Sequence, residues 1–495
     1  MVQDFKDIFL KITENKIIIF IFFLLVVFVS YNNLFDSYFE ADEWFAFTHF
    51  FPLTHKEYGF LDTIVKTVVD KDSLSRGQHI IPISYEIFFL NVRFFGINFT
   101  PYAFISLTLH AINSFLVFLF AKELLDVKKQ KIKIIFSLLS GIFFALTAIP
   151  MHAVTWAAGY GQNVLSVTFF LLCILFFKRA FNTKKRKFLY ISLLVLFLGL
   201  LTKETATVLF FVLPFMALIE KRIFSFKYLT KLYILSLIVF VIFRFVIPNV
   251  YLGVGQLADK WVDNYISTAN KSTGNKDTGT IVSTDLSIHK NIYAELFFRA
   301  TTFPIQMTSE LFFPRQTILS FMHVITPIVY PLPDNVSGAE EIVRSQNYQF
   351  FQNGPGNDFM IYVFSISIIL FVIYLAKRFY KNKKIVELQT IGIGLAIIFF
   401  GALPLVLIVL SFPRWGYDTY FDSRHYYMPS VGAAILFPFL LFAIGGFLSK
   451  IISKVIKFSI PSFLIISFLF LLWLANNMNV FRSNMNIIVD QTGFP

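Results

Sequence analysis

Two neighbouring carboxylates, Asp42 and Glu43, follow shortly after the first apolar run, within Glu40-Ala41-Asp42-Glu43-Trp44. Groups of this kind give and take protons, and beside hydrocarbon they are costly to hold ionised. An acidic pair at a membrane boundary is therefore a first candidate for chemistry. A solvated acidic loop is the alternative. Lys203 and Glu204 form a second charged pair in Leu201-Thr202-Lys203-Glu204-Thr205, where they interrupt two short apolar runs; the alternative is a polar hairpin tip. His79, in Arg76-Gly77-Gln78-His79-Ile80-Ile81-Pro82, reads when taken alone as a satisfied loop histidine. The segment Asp422-Ser423-Arg424-His425-Tyr426-Tyr427-Met428-Pro429-Ser430 gathers an acid, cations and phenols just before an apolar run. Arg424 and His425 suit interfacial anchoring beside Tyr417, Tyr420, Tyr426 and Tyr427 as well as ligand binding. His152, in Pro150-Met151-His152, suits capping as well as catalysis, and His110 and Asn113, one turn apart in an apolar run, are expected to bond across helices.

None of the eight histidines is paired as in HExxH, so a dedicated zinc site is not supported, and acidic loop residues would hold a divalent cation only weakly. No GxxxxGK[ST] or GxGxxG precedes a helix, so no nucleotide site is indicated.

These groups sit in a chain of 495 residues that is 56% hydrophobic and only 15% charged, with a mean hydropathy of +0.68. A soluble protein could not cover so much apolar surface with so few charges, and an integral membrane protein with many spans is expected. The formal charge of +13 is divided among short loops, which reads as membrane topology and excludes a nucleic-acid partner. The lone Cys173, in an apolar run, excludes internal disulfides and a cysteine metal cluster. The first apolar run lacks a small-residue cleavage site and reads as a retained helix.

Apolar runs near 17–31, 98–121, 134–151, 163–177, 188–201, 205–219, 228–247, 359–376, 389–411, 431–449 and 458–475 predict an all-α polytopic fold of about eleven spans. Every second loop is basic, including Lys122 to Lys133, Lys178 to Lys187, Lys221 to Lys227, Lys377 to Lys384 and Lys450 to Lys457. By the positive-inside rule the N-terminus is then cytoplasmic, the C-terminus extracytoplasmic, and every candidate group falls on the outer side. Three parts are expected. They are an N-terminal transmembrane module, 1–247, with an outer loop 32–97 containing the amphipathic stretch Ile80 to Phe95; a large outer loop, 248–358; and C-terminal helices, 359–495.

Several segments are familiar in order and spacing. Gly77-Gln78-His79-Ile80-Ile81-Pro82-Ile83-Ser84 leads through Phe95-Gly96-Ile97-Asn98-Phe99-Thr100-Pro101 to Leu109-His110-Ala111-Ile112-Asn113. Phe143 to His152 follows, with Gly161 beyond it, then Leu201-Thr202-Lys203-Glu204-Thr205 and Ser423 to Gly432. Together they resemble the GT-C superfamily of membrane glycosyltransferases, which use polyprenyl-phosphate-linked sugars. The nearest relatives suggested are the protein O-mannosyltransferases and the transmembrane proteins that join such a domain to tetratricopeptide repeats. The resemblance spans most of residues 30–435 outside 248–358. It implies that Asp42 is the general base with Glu43 as its neighbour. Its motifs also match at Lys203, Glu204, Arg424, Tyr426 and Tyr427; with His425 as a further source of charge, Arg424, Lys203, His425 and Tyr426 are expected to bind the donor phosphate, supported by Glu204, His79, His152 and Gln162. The chain departs from the family at Val154, where an acidic residue is expected, and at Gln162, where an arginine is expected.

The chemistry so implied is an inverting transfer from a polyprenyl-phosphate sugar to a hydroxyl of a protein, glycan or lipid acceptor. The site would lie on the outer face of a plasma (inner) membrane, in a bacterial or comparable envelope. A base must take the acceptor proton, and cations must meet the charge developing on the leaving phosphate. Arg424 offers a bidentate fork for phosphate oxygens. A polymerase or ligase of lipid-linked surface polysaccharide shares this topology. A transporter or flippase would instead place its ionisable groups at midplane between repeats, and no internal repeat is found.

Overall fold

The structure is a computed structural model that describes residues 15–39, 43–44, 47, 81–125, 130–148, 150–157, 159–219, 292–314, 317–318, 355–410, 423–456 and 461–492, with positions 234, 237–238 and 241. Among these the regular elements are helices, with no strand. In chain order they are α1 (Lys16–Ser30), α2 (Pro82–Phe95), α3 (Phe99–Leu124), α4 (Gln130–Leu146), the short α5 (Met151–Thr155), α6 (Tyr160–Thr183), α7 (Arg186–Thr202), α8 (Leu209–Ile219), α9 (Ile292–Phe312), α10 (Pro355–Lys381), α11 (Ile385–Leu410), α12 (Pro429–Ile456) and α13 (Ser462–Thr492). Short 3-10 turns cover Asn32–Asp36, Glu204–Val208 and Ser423–Tyr426.

Local chemistry explains several boundaries. Asn15 caps α1 by accepting from the Ile17 and Ile18 amides, and Asn98 caps α3 by accepting from the Thr100 amide at 3.2 Å. Proline opens α2, where its missing N–H costs nothing, and Gly96 ends it at φ 56°.

Six helices are long and apolar enough to cross a membrane among the described residues: Phe99–Leu124, Tyr160–Thr183, Ile361–Lys381, Ile385–Leu403, Pro429–Val455 and Ser462–Ser483. Lys16–Ser30 and Thr205–Ile219 are shorter apolar helices. The chain is thus a membrane protein whose described residues form an all-helical fold. Of the expected spans, the run 228–247 lies outside the described residues except at four positions. Leu25, Leu194, Leu370 and Phe468 are each exposed, giving the bundle an apolar outer surface suited to hydrocarbon.

Cross-helix contacts fix which helix ends meet. The C-terminal ends of α7 and α11 lie with the N-terminal ends of α6 and α12, because Lys203 meets Asn163 and Gly401 lies against Pro429, while Tyr31, just past α1, meets His110 of α3 edge-on and Ala145, near the end of α4, faces the same histidine. The basic turns Lys184–Lys185 and Lys383–Lys384 fall at the opposite end. Within loop 248–358, α9 is a 21-residue helix that packs on α10, α11 and α12. Buried Ser309 and Ser365, 2.7 Å apart through their hydroxyls, join α9 to α10.

Candidate active site

The first part of the site is an aromatic clamp. Phe39, Trp44 and Phe47 pack with Phe88 of α2 and with Phe99 and Tyr102 of α3. Ring centroids are 4.5 Å apart for Phe39 and Phe47, 5.3 Å for Phe47 and Phe88, and 5.2 Å for Phe39 and Tyr102. Such pairs add to the area they bury, and here they hold the start of the first polar loop down on the bundle. Glu43, between these anchors, is only 1% exposed and lies within electrostatic reach of Tyr102. A solvated acidic loop does not describe it. Asp42 lies outside the described residues.

The second part is the N-terminal end of α6. A Cβ on Gly159 would lie 2.3 Å from Trp156 Cε3, so glycine lets the Trp156 ring close over the helix start. Asn91 of α2 donates to the Tyr160 hydroxyl at 2.7 Å. Ser84, at the opposite end of α2, donates to the Thr202 carbonyl at 2.7 Å and lies 2.9 Å from that of Gly161. One turn along α6, buried Asn163 accepts a short hydrogen bond from the Lys203 ammonium through Oδ1. Lys203 itself is extended, at φ −160° and ψ 147°, and buried where α7 ends. The polar-tip reading of Lys203 therefore fails, because its side chain turns into the protein. Glu204 begins the following 3-10 turn, and its side chain lies outside the described residues. Gln162 is half-buried on the first turn of α6.

The third part is the turn Ser423–Tyr426, which packs against α5, the helix that carries partly buried His152. Tyr426 is buried and donates a short hydrogen bond to a Glu310 carboxylate oxygen on α9. Its hydroxyl is thus committed to a protein acid, where a phosphate contact was expected. His425 is half-buried, and Arg424 is described by its backbone alone. Tyr427 points deeper. Its hydroxyl is 2.7 Å from His110 Nδ1 and 3.2 Å from Asn113 Nδ2, and Asn113 also donates to the Val164 carbonyl and accepts from Thr168. His110 Nε2 faces the Ala145 carbonyl at 3.2 Å, so Nε2 carries the proton and Nδ1 accepts from Tyr427. Burial raises the pKa of Tyr427 well above that of an ordinary phenol, which keeps it a donor. His110 and Asn113 bond across helices as expected.

The structure thus gathers Gln162 and Lys203 around the first turns of α6, buries Glu43 beside Tyr102, and packs α5, which carries His152, against the Ser423–Tyr426 turn. Asp42 and His79 lie outside the described residues. Among the described residues no group of three His, Cys, Asp or Glu side chains is placed to hold a metal ion. Asn163, Tyr160, Asn91, Ser84 and Glu310 are the polar residues that sequence reasoning passed over. The cluster Tyr160-Gly161-Gln162-Asn163, immediately before a long apolar run, and the lone acid Glu310 after Phe303 were their available signals. Compared with known proteins, the chain matches no family model and no curated protein.

Proposed function

We propose that the chain is an inverting GT-C-type glycosyltransferase that moves a sugar from a polyprenyl-phosphate donor to a hydroxyl acceptor at the extracytoplasmic face of a plasma membrane. The observation that carries this reading is the burial of two charged side chains from distant segments, Lys203 against the first turns of α6 and Glu43 beside Tyr102, which also lies within electrostatic reach of Tyr160 at the start of α6. The basic turns fall at the opposite end of the bundle. The positive-inside rule assigns that end to the cytoplasm and the acidic and cationic groups to the far interface. Sugar nucleotides are cytoplasmic, so a transferase on that side takes its donor as a lipid.

In this mechanism Asp42 removes the acceptor proton as the hydroxyl oxygen attacks the anomeric carbon. The bond from that carbon to the phosphate oxygen breaks, the electron pair leaves with polyprenyl phosphate, and the configuration inverts. Glu43, its covalent neighbour, positions Asp42 and raises its proton affinity by like-charge proximity. Lys203 and Arg424 meet the charge that develops on the leaving phosphate.

The test is Asp42→Asn in cells that otherwise lack the chain, read by mass spectrometry of their glycolipids and glycoproteins. Transfer should fall by about 10²–10⁴-fold while the melting temperature of the purified variant stays at the wild-type value. Normal product levels from the variant would reject Asp42 as the base.

A further inference from the structure

Asn163 is an exception among the buried asparagines of the described residues. Asn91, Asn113 and Asn477, all buried, each use the side-chain amide as a donor. Asn163 is 4% exposed, yet its Nδ2 has no partner among the described residues. Its orientation is chemically fixed, because the atom facing the Lys203 ammonium must be the acceptor oxygen, which leaves the NH₂ as the unsatisfied end. A buried donor without a partner is uncommon and costly, so its presence calls for a function.

We propose that Asn163 is a positioning residue of the donor site, holding the Lys203 ammonium through Oδ1 and offering Nδ2 to a phosphate oxygen of the polyprenyl phosphate. This inference rests on the transferase reading above. The two polar atoms of one amide are about 2.2 Å apart, so a single oxygen can lie within hydrogen-bond distance of both Nδ2 and the ammonium. The local charge selects an anion. Lys203 is cationic, and Asn163 lies in the first turns of the 24-residue α6, whose N-terminal amides favour negative charge. The apolar outer surface of the bundle favours an anion carried on a lipid.

The experiment measures binding to the purified full-length chain in lipid nanodiscs, with polyprenyl phosphate, polyprenol and inorganic phosphate as separate probes. Asn163→Asp keeps an oxygen for Lys203 but replaces the NH₂ with a second oxygen that repels phosphate. Asn163→Ser removes the amide without adding charge and decides the matter if the aspartate variant does not fold. Wild-type protein should bind polyprenyl phosphate and not polyprenol, and both variants should weaken that binding, by about tenfold or more for Asn163→Asp. Wild-type affinity in both variants would overturn the role of Asn163 and leave the transferase reading standing. Inorganic phosphate binding as tightly as the lipid would overturn the lipid as the source of the anion. Wild-type protein that binds neither phosphate would overturn both the inference and the reading beneath it.

Discussion

Tyr427 shows how one side chain can order several helices. Its hydroxyl joins His110 and Asn113 on α3, and Asn113 passes the connection to Val164 and Thr168 on α6. Every member of this network is buried, so removing the Tyr427 hydroxyl strands the His110 Nδ1 acceptor and takes one acceptor from Asn113 Nδ2 where water cannot replace it. Tyr427→Phe should cost about 1–3 kcal/mol, read as a lower melting temperature of the purified protein; an unchanged melting temperature would show that the network adds nothing. Glu43 and Lys203 are the complementary case. They were recognisable in sequence as charges beside apolar runs, but their burial was not, because it depends on Phe88 and Tyr102 or on Asn163, which come from other parts of the chain. An asparagine carries no periodic signal, and only the fold reveals that Asn163 faces a lysine.

At the scale of elements, the close approach of α11 and α12 sets the geometry behind the Ser423–Tyr426 turn. A Cβ on Gly432 would lie 2.4 Å from the Gly394 carbonyl oxygen and 3.0 Å from the Ile398 amide, both rigid backbone. Small residues allow helix backbones in membranes to approach this closely. Gly432→Ala should therefore destabilise the protein by about 1–3 kcal/mol through forced separation. Gly446→Ala, on the same helix but with no atom within 4 Å of the added carbon, should not, and equal melting shifts for the two would refute the packing argument. The helices themselves were readable from long apolar runs and from caps such as Asn98 and Pro82. The polar interior of α9, with Gln306, Ser309 and Glu310 buried, was hidden because its mixed composition reads as a surface loop.

Across the molecule, the basic turns Lys184–Lys185 and Lys383–Lys384 lie at one end of the bundle and Lys203 at the other, which makes sidedness measurable. The only cysteine, Cys173, is fully buried, so introduced thiols stand on a silent background. Thr100 and Lys185 are exposed at opposite ends of the bundle. With a membrane-impermeant thiol reagent, Thr100→Cys should label on intact cells and Lys185→Cys only after permeabilisation. The reverse pattern would invert the topology and remove the outer-face site with it. The alternation of basic loops made this arrangement readable. The number of crossings was less so, because helices as short as α1 and α8 fall between a span and a partly buried segment.

One long-range tie bears on biosynthesis. Asn477 of α13 accepts a hydrogen bond from the Ala148 amide, made 329 residues earlier, just ahead of α5, and Phe481 meets Tyr31 edge-to-face with ring centroids 4.4 Å apart. The bend that presents His152 thus stays without its latch until the ribosome has delivered α13. A nascent chain halted before that helix would carry the early polar groups without the contacts that lock them, so assembly finishes only when late and early regions meet.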